Sequence, residues 1–147
     1  MKIEIDLSGK IESTNRMTVV AFSNSKTKSI SISAKDKKSI QSMFRKIGRP
    51  KLFTIKLFAT MIFCLIQNEV IAEHQITIDL EYPGHEQLVK AIILEIAEKN
   101  KVNIDSRTIH FKSIGKGSLA HKKAITAFRK RKADFKLTAK EFFKIVF

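Results

Sequence analysis

Two short segments of the sequence share one pattern, and each has an aspartate near its end. Residues 3–7 read IEIDL and residues 76–80 read ITIDL, so Asp6 and Asp79 hold the same place in each. The alternation of apolar and polar side chains predicts a β-strand in both segments. If these strands lie side by side and parallel, about 4.8 Å apart, their carboxyl ends meet at one edge of the sheet. Asp6 and Asp79 would then face each other there.

Two carboxylates this close repel each other unless a proton or a hard cation lies between them. Mg²⁺ and Mn²⁺ prefer oxygen ligands at such a spacing, and ligand crevices of open α/β sheets lie outside the carboxyl ends of the strands. The alternative interpretation places both aspartates in solvent on the outer face of half-buried strands, or at the start of turns. The pattern alone fits both interpretations.

The elements that would position these aspartates follow from changes in the period of the hydrophobic residues. We expect strands over residues 2–7, 17–22, 29–33, 76–81 and 108–113, and helices over about 33–47, 51–68, 85–99 and 118–132, with a last one after Thr138. The first three strands form an antiparallel meander, whereas the later strands follow helices and must pair in parallel. The prediction is one α/β domain over residues 1–147, with a mixed sheet and a basic helical segment at about 118–147.

This order of elements resembles the ribonuclease H-like superfamily, whose core runs βββ-α-β-α-β-α with strand order 3-2-1-4-5. In that superfamily an aspartate on the first strand and a carboxylate at the end of the fourth bind the catalytic metal ions. Asp6 in IEIDLSG matches the first, and Asp79 in ITIDLEY matches the second. The resemblance implies a nuclease that hydrolyses phosphodiester bonds with Mg²⁺ or Mn²⁺.

The sequence departs from that superfamily on the first helix, where many members place a glutamate. No acidic residue occurs between Asp36 and Glu69. Glu81 could take the place of this ligand, because alternation along a strand would point its side chain to the same face as that of Asp79. The third ligand is therefore expected from the fourth strand.

Members of the superfamily also bring an acidic residue or a histidine from the last helix. Here His121 or Asp134 would supply it, and His121 is the better placed of the two because it lies in the first helical turn after the glycine-rich loop. The alternative is a surface histidine without a chemical role. The sequence leaves both open.

Under the nuclease hypothesis each of these residues has a role. Asp6 would bridge two metal ions, and Asp79 and Glu81 would complete the ligand set. His121 or Lys122 would orient water or stabilise charge on the phosphate.

Positive charge is concentrated at the end of the chain. The 28 lysine and arginine residues exceed the 14 aspartate and glutamate residues, for a formal net charge of +14, and residues 107–147 contain 12 of the basic residues but only Asp134 and Glu141 as acidic ones. Ile125 and Phe128 lie on one side of the helix predicted there, so its other sides present cations. Such a charge predicts an anionic partner.

We expect this helix and the loop before it to contact the phosphates of DNA or RNA without reading bases. The residues concerned are Lys116, Lys122, Lys123, Arg129, Lys130, Arg131 and Lys132. The alternatives are a solvated helix face and a helix that lies on an anionic membrane, for which the apolar stripe is narrow.

Other classes of site have less support. Cys64 is the only cysteine, which excludes an intrachain disulfide and is typical of a chain in the reducing cytoplasm. A zinc site is not predicted, because the histidines lack paired ligand spacing. They are His74, His85, His110 and His121. Residues 52–66 are apolar but too short to span a membrane and contain Lys56, so they predict a buried core helix and no transmembrane segment.

Two further functions stay open at this point. A non-catalytic nucleic-acid-binding or assembly protein on the same fold would explain the incomplete carboxylate set. A basic scaffold could instead bind a protein partner through Phe142, Phe143 and Phe147 near the chain end. The sequence distinguishes neither DNA from RNA nor a monomer from a homo-oligomer.

Overall fold

A computed structural model describes residues 2–69 and 75–147 of the chain, so His74 lies outside the described residues. These residues form six strands and five α-helices, with one short 3₁₀ turn at Ser106–Thr108. In chain order the elements are β1 (Lys2–Ser8), β2 (Thr18–Ser23), β3 (Thr27–Ile32), α1 (Ala34–Lys46), α2 (Leu52–Ile66), β4 (Gln75–Ile78), α3 (Glu86–Lys99), β5 (Ile109–Phe111), α4 (Leu119–Lys130), β6 (Phe135–Leu137) and α5 (Ala139–Val146).

The strands form one mixed sheet in the order β5-β4-β1-β2-β3-β6. β1, β2 and β3 pair as an antiparallel meander, while β4 on β1, β5 on β4 and β6 on β3 are parallel. The α/β class and the predicted order of the first five strands are confirmed, and the topology is consistent with a ribonuclease H-like fold. β6 was not predicted, because its three residues lie within the segment at about 118–147 that was expected to be helical.

The pairing of β1 with β4 sets the register of the two aspartates. Ile5 lies opposite Ile78, and one residue later the backbone N–H of Asp79 donates to the carbonyl of Ile5 at 2.9 Å. Asp79 therefore lies beside Asp6. The predicted strand over 76–81 is too long, since β4 ends at Ile78 and the chain turns immediately afterwards.

The two faces of the sheet are packed differently. The large apolar side chains lie on one face and pack against α1, α2, α3 and α5. As predicted, α2 is enclosed on almost every side, and among the described residues no helix has both the length and the apolar character needed to cross a bilayer. Phe142 of α5 is part of this core and meets the ring of Phe44 edge-on, which leaves Phe147 as the exposed phenylalanine of that end.

The other face is covered by α4, which packs on β1, β2 and β3. The side chains that α4 buries are Ala120, Ala124 and Ala127, and β2 offers the equally small Ala21 on this face. Small residues on both sides let the helix backbone approach the sheet closely. A helix this close to β1 can bring its own side chains to the strand ends.

The loop between β1 and β2 is fastened to α1 by a buried lysine. Lys37 is fully buried, and its Nζ donates to the carbonyls of Lys10 and Ser13 and to Thr18 Oγ1, at 3.2, 2.8 and 3.0 Å. Burial lowers the pKa of Lys37 to about 8, so the side chain is still largely an ammonium group at pH 7. Its three protons match three acceptors.

Replacing this lysine tests how firmly the loop is held. Lys37→Met keeps the length of the side chain but leaves three acceptors without their donor, so we expect the free energy of unfolding to fall by about 2 kcal/mol. Urea denaturation at pH 7 measures it. The matched control is Lys38→Met, because Lys38 is exposed on the same helix. Equal stability of the two variants would contradict the anchoring role.

Candidate metal centre

Three carboxylates meet at the carboxyl ends of β1 and β4. Asp6, Asp79 and Glu81 each offer an oxygen, and these oxygens all lie within 4.8 Å of one another. Asp6 is buried, whereas the other two side chains are partly exposed. The parallel register described above accounts for the neighbouring positions of the two aspartates. We call this group the carboxylate cluster.

Glu81 reaches the cluster by a different route from the one predicted. Strand alternation would have placed it on the same face as Asp79, but β4 has ended by then. Instead the backbone N–H of Glu81 donates to the carbonyl of Asp79 at 2.8 Å, which closes a three-residue turn. The prediction that Glu81 joins the two aspartates is confirmed, and its reason was wrong.

Hydrogen bonds from the protein fix both aspartates. Asp6 Oδ1 accepts from the backbone N–H of Leu7 at 2.8 Å, and Asp79 Oδ1 accepts from the backbone N–H of Ile114, also at 2.8 Å. Ile114 follows β5, so three adjacent strands contribute to the position of the cluster. Each aspartate keeps its second oxygen for another contact.

On Asp6 that contact is His121. Its Nδ1 lies 2.7 Å from Asp6 Oδ2, and because a carboxylate can only accept, the ring donates from a protonated Nδ1. The start of α4 explains the placement. Ser118 caps the helix by accepting from the N–H of Ala120, and its hydroxyl donates to Glu4 of β1 at 2.9 Å. His121 is therefore held above the end of β1.

Asp134, the other candidate from the last part of the chain, has a different place. One of its oxygens accepts from the backbone N–H of Ser29 at 3.0 Å and forms an ion pair with Lys123 at 3.1 Å. It thus joins the chain before β6 to β3. Of the two candidates, His121 lies at the cluster, whereas Asp134 lies just before β6 and bonds to Ser29 of β3.

The carboxyl groups of the cluster disfavour each other's ionisation. Burial raises the pKa of Asp79, and the nearby charge of Asp6 raises it further, against the lowering effect of the N–H of Ile114. Burial likewise raises the pKa of Glu81, followed by the charges of Asp79 and Asp6. A bound cation would relieve both the repulsion and the desolvation of these carboxylates.

The donor set fits a hard divalent cation. All three side chains offer oxygen, and none offers sulfur, which favours Mg²⁺ or Mn²⁺ over softer metals. Oxygens bound to one Mg²⁺ are at most about 4.2 Å apart, because each lies about 2.1 Å from the ion. Oxygens already within 4.8 Å of one another therefore need only small side-chain rotations to meet on one ion.

Two further charged residues near the cluster escaped sequence reasoning. The charge of Glu12 helps to raise the pKa of Glu81, and that of Lys10 opposes it. Glu12 Oε1 also accepts from the hydroxyl of Tyr82 at 3.3 Å. Both residues lie on the loop between β1 and β2, where no hydrophobic period indicates their direction.

The predicted nucleic-acid-binding residues divide into two groups. Lys123 is half-buried and engaged by Asp134. The others are exposed, namely Lys116, Lys122, Arg129, Lys130, Arg131 and Lys132. Lys116 and Lys122 stand on either side of the start of α4, close in sequence to His121, whereas the remaining four lie at or just after the end of that helix.

Comparisons of the chain with known protein families, with curated proteins and with solved structures find no match. The fold and the site therefore carry the functional argument. They define an α/β protein with a mixed six-stranded sheet and an acidic cluster, at the carboxyl ends of two adjacent parallel strands, that could hold a metal ion.

Asp79→Asn tests the repulsion within the cluster. In the folded protein the pKa of Asp79 lies above its ordinary value of 3.8. Protonation of Asp79 therefore stabilises the fold, fully below pH 3.8. This stabilisation is lost as the pH rises through the folded pKa. Above the folded pKa, the metal-free protein has Asp79 in the ionised, repelled form. An asparagine keeps the acceptor for Ile114 without the charge.

We therefore expect metal-free Asp79→Asn to melt about 2–5 °C above the parent at pH 7. The difference should shrink as the pH approaches 4, and millimolar Mg²⁺ should stabilise the parent but not the variant. Calorimetric or fluorescence melts with and without EDTA measure this. A variant that melts below the parent at pH 7 without metal would contradict repulsion within the cluster.

Proposed function

We propose that the protein is a metal-dependent nuclease of ribonuclease H-like type, which hydrolyses phosphodiester bonds of nucleic acid. The observation that carries this proposal is the carboxylate cluster itself, with Asp6 and Asp79 adjacent on parallel strands and Glu81 turned back to join them. The sheet order supports it, since open α/β sheets place their sites outside the carboxyl ends of the strands.

In this proposal Asp6, Asp79 and Glu81 hold Mg²⁺ or Mn²⁺. Bound there, such an ion supplies a Lewis acid that activates water and neutralises charge on the phosphate. The chain itself orients the ligands. The N–H of Leu7 and His121 hold the two oxygens of Asp6, so that residue is presented in one fixed orientation.

His121 has two tasks under this proposal. Through Nδ1 it orients Asp6 at 2.7 Å. With that nitrogen engaged, the ring can exchange a proton only through Nε2, with water or with the leaving oxygen of the substrate. A histidine positioned by a carboxylate in this way presents its free ring nitrogen in one orientation.

The basic residues around α4 would hold the substrate. Lys116 and Lys122 stand at the helix start beside His121, and the helix end adds four more exposed cations. Contacts of this kind attract phosphates of any sequence. The proposal therefore includes strong salt dependence and little sequence preference.

A second candidate is a non-catalytic nucleic-acid-binding or assembly protein on the same fold. One observation favours it. Hydrogen bonds from His121 and from backbone N–H groups already satisfy much of Asp6 and Asp79. In addition, α2 has no acidic residue, and α1 has only Asp36, whose carboxylate accepts from Ser33 and from the backbone N–H of Ala139. On this alternative the aspartates have a structural role at the edge of the sheet.

A cleavage assay distinguishes the two candidates. The protein is incubated with labelled single-stranded DNA, duplex DNA, RNA and an RNA–DNA hybrid, each with Mg²⁺ and with Mn²⁺. We expect cleavage of at least one substrate, and a loss of about 100-fold or more in Asp6→Asn and in Asp79→Asn because each removes a ligand charge. EDTA should abolish the activity.

The matched control is Glu98→Gln, which neutralises an exposed carboxylate on α3 and should cleave at the parental rate. Thermal melts establish that each variant is folded. Cleavage that persists in both aspartate variants would refute the metal site. A folded parent that cuts none of the four substrates with either metal would refute the nuclease and favour the binding protein.

A further inference from the structure

A groove separates the loop between β1 and β2 from the last turn of α4. It has a volume of about 510 Å³ and is lined by Arg16 and Asn15 of the loop and by Phe128, Arg129 and Arg131 of the helix end. A neighbouring hollow at Gly9, Lys10 and Ser13 shares Arg16 and Phe128 with it. We call the first of these the arginine groove.

Three arginines line the arginine groove, namely Arg16, Arg129 and Arg131. None of them has an acidic partner in the described part of the chain. The ion pairs found there, at N–O distances up to 4.0 Å, involve none of them. All three are exposed. Guanidinium groups bind phosphates with paired hydrogen bonds, and three of them along one groove match a row of phosphates.

The groove lies at the same edge of the sheet as the carboxylate cluster. α4 runs alongside β1 from Glu4 onward, with Ser118 bonded to Glu4 and His121 bonded to Asp6. Further along, the ring of Phe128 lies against Gly9, directly after β1. A strand of nucleic acid that passes the cluster therefore meets Lys10 and then the arginine groove.

Both walls of the groove are fixed before any ligand binds. Lys37 fastens the loop through the carbonyls of Lys10 and Ser13. On the other side, a Cβ atom built on Gly9 would come within 2.5 Å of the Phe128 ring, so glycine is what allows loop and helix to touch. Arginines on prearranged walls lose less entropy on binding.

Arg131 occupies a backbone position that usually belongs to glycine. Its φ is +55°, and it ends α4 with its N–H donating to the carbonyl of Phe128, while the N–H of Lys132 donates to that of Ala127. This is a Schellman motif, whose left-handed residue is most often glycine. An arginine is therefore held here at a conformational cost, with its side chain lining the groove.

We propose that the arginine groove binds the phosphate backbone of the nucleic-acid strand beside the bond that the carboxylate cluster cleaves. Arg16, Arg129 and Arg131 contact neighbouring phosphates and leave the bases unread. The statement that the groove lies beside the cleaved bond rests on the proposed nuclease function. Binding in the groove requires no metal, so it is measured separately from cleavage.

The chain provides a close control for Arg131. Lys101 is the left-handed residue at the end of α3, with φ of +57°. Its N–H donates to the carbonyl of Glu98 and that of Val102 donates to the carbonyl of Ala97, so the motif is the same. Lys101 does not line the groove. Arg131→Gly and Lys101→Gly thus make the same backbone change and remove the same charge.

The experiment measures binding of a fluorescent 20-nucleotide single strand, as DNA and as RNA, with EDTA present and salt varied from 50 to 300 mM. Glycine suits both positions, so both variants should melt at or above the parental temperature. Arg131→Gly should bind about 5–10-fold more weakly at 150 mM salt, and the slope of log K against log salt should fall by about 0.7. Lys101→Gly should stay within about twofold of the parent.

Arg16→Gln, on the opposite wall, should weaken binding in the same way. Equal binding by Arg131→Gly and Lys101→Gly would overturn the proposal that the arginine groove binds nucleic acid. Loss of cleavage in Asp6→Asn would in that case still support the nuclease. Weaker binding in the groove variants with no cleavage by the parent would support the groove and refute the nuclease.

If Arg131→Gly loses affinity for phosphatidylserine vesicles but keeps its affinity for both strands, the groove faces a membrane and the proposal is wrong.

Discussion

The parallel pairing of β1 with β4 is the constraint on which the rest of the site depends. It places Asp6 and Asp79 side by side, and the turn after β4 adds Glu81. Three carboxylates in one partly buried place are costly for a folded chain without a counter-charge, as the raised pKa values of Asp79 and Glu81 indicate. A cation removes that cost, and this is the physical reason to interpret the cluster as a metal centre.

The second constraint is the close packing of α4 on the sheet. Alanines on the buried side of the helix let it lie along β1, and Ser118 fixes its start on that strand. One helix consequently brings His121 to the cluster and its last turn to the loop between β1 and β2. Because both contacts come from the same helix, the packing of α4 on the sheet sets the position of the arginine groove relative to the carboxylate cluster.

The elements whose period is long and regular could be predicted from the sequence, and so could the two aspartates, because they repeat one motif in two strands. β6 was missed because it lies in a segment that was expected to be helical, and Glu81 was assigned to a strand that had already ended. Arg16 and the anchoring role of Lys37 were also missed, because both depend on contacts with the irregular loop between β1 and β2. Long-range contacts of loops leave no period in the sequence. The clustering of basic residues near the end of the chain, in contrast, could be seen in the sequence, and all of the residues named there are exposed except Lys123, which pairs with Asp134.

The proposed nuclease depends on a divalent cation bound by the carboxylate cluster. Titration of the protein with Mn²⁺, followed by the electron paramagnetic resonance signal of the free ion, tests it without any assumption about substrate. We expect saturable binding that Mg²⁺ displaces, that is lost in Asp6→Asn, and that is retained in Glu98→Gln. Mn²⁺ binding that is absent in the parent, or equal in the parent and Asp6→Asn, would contradict it.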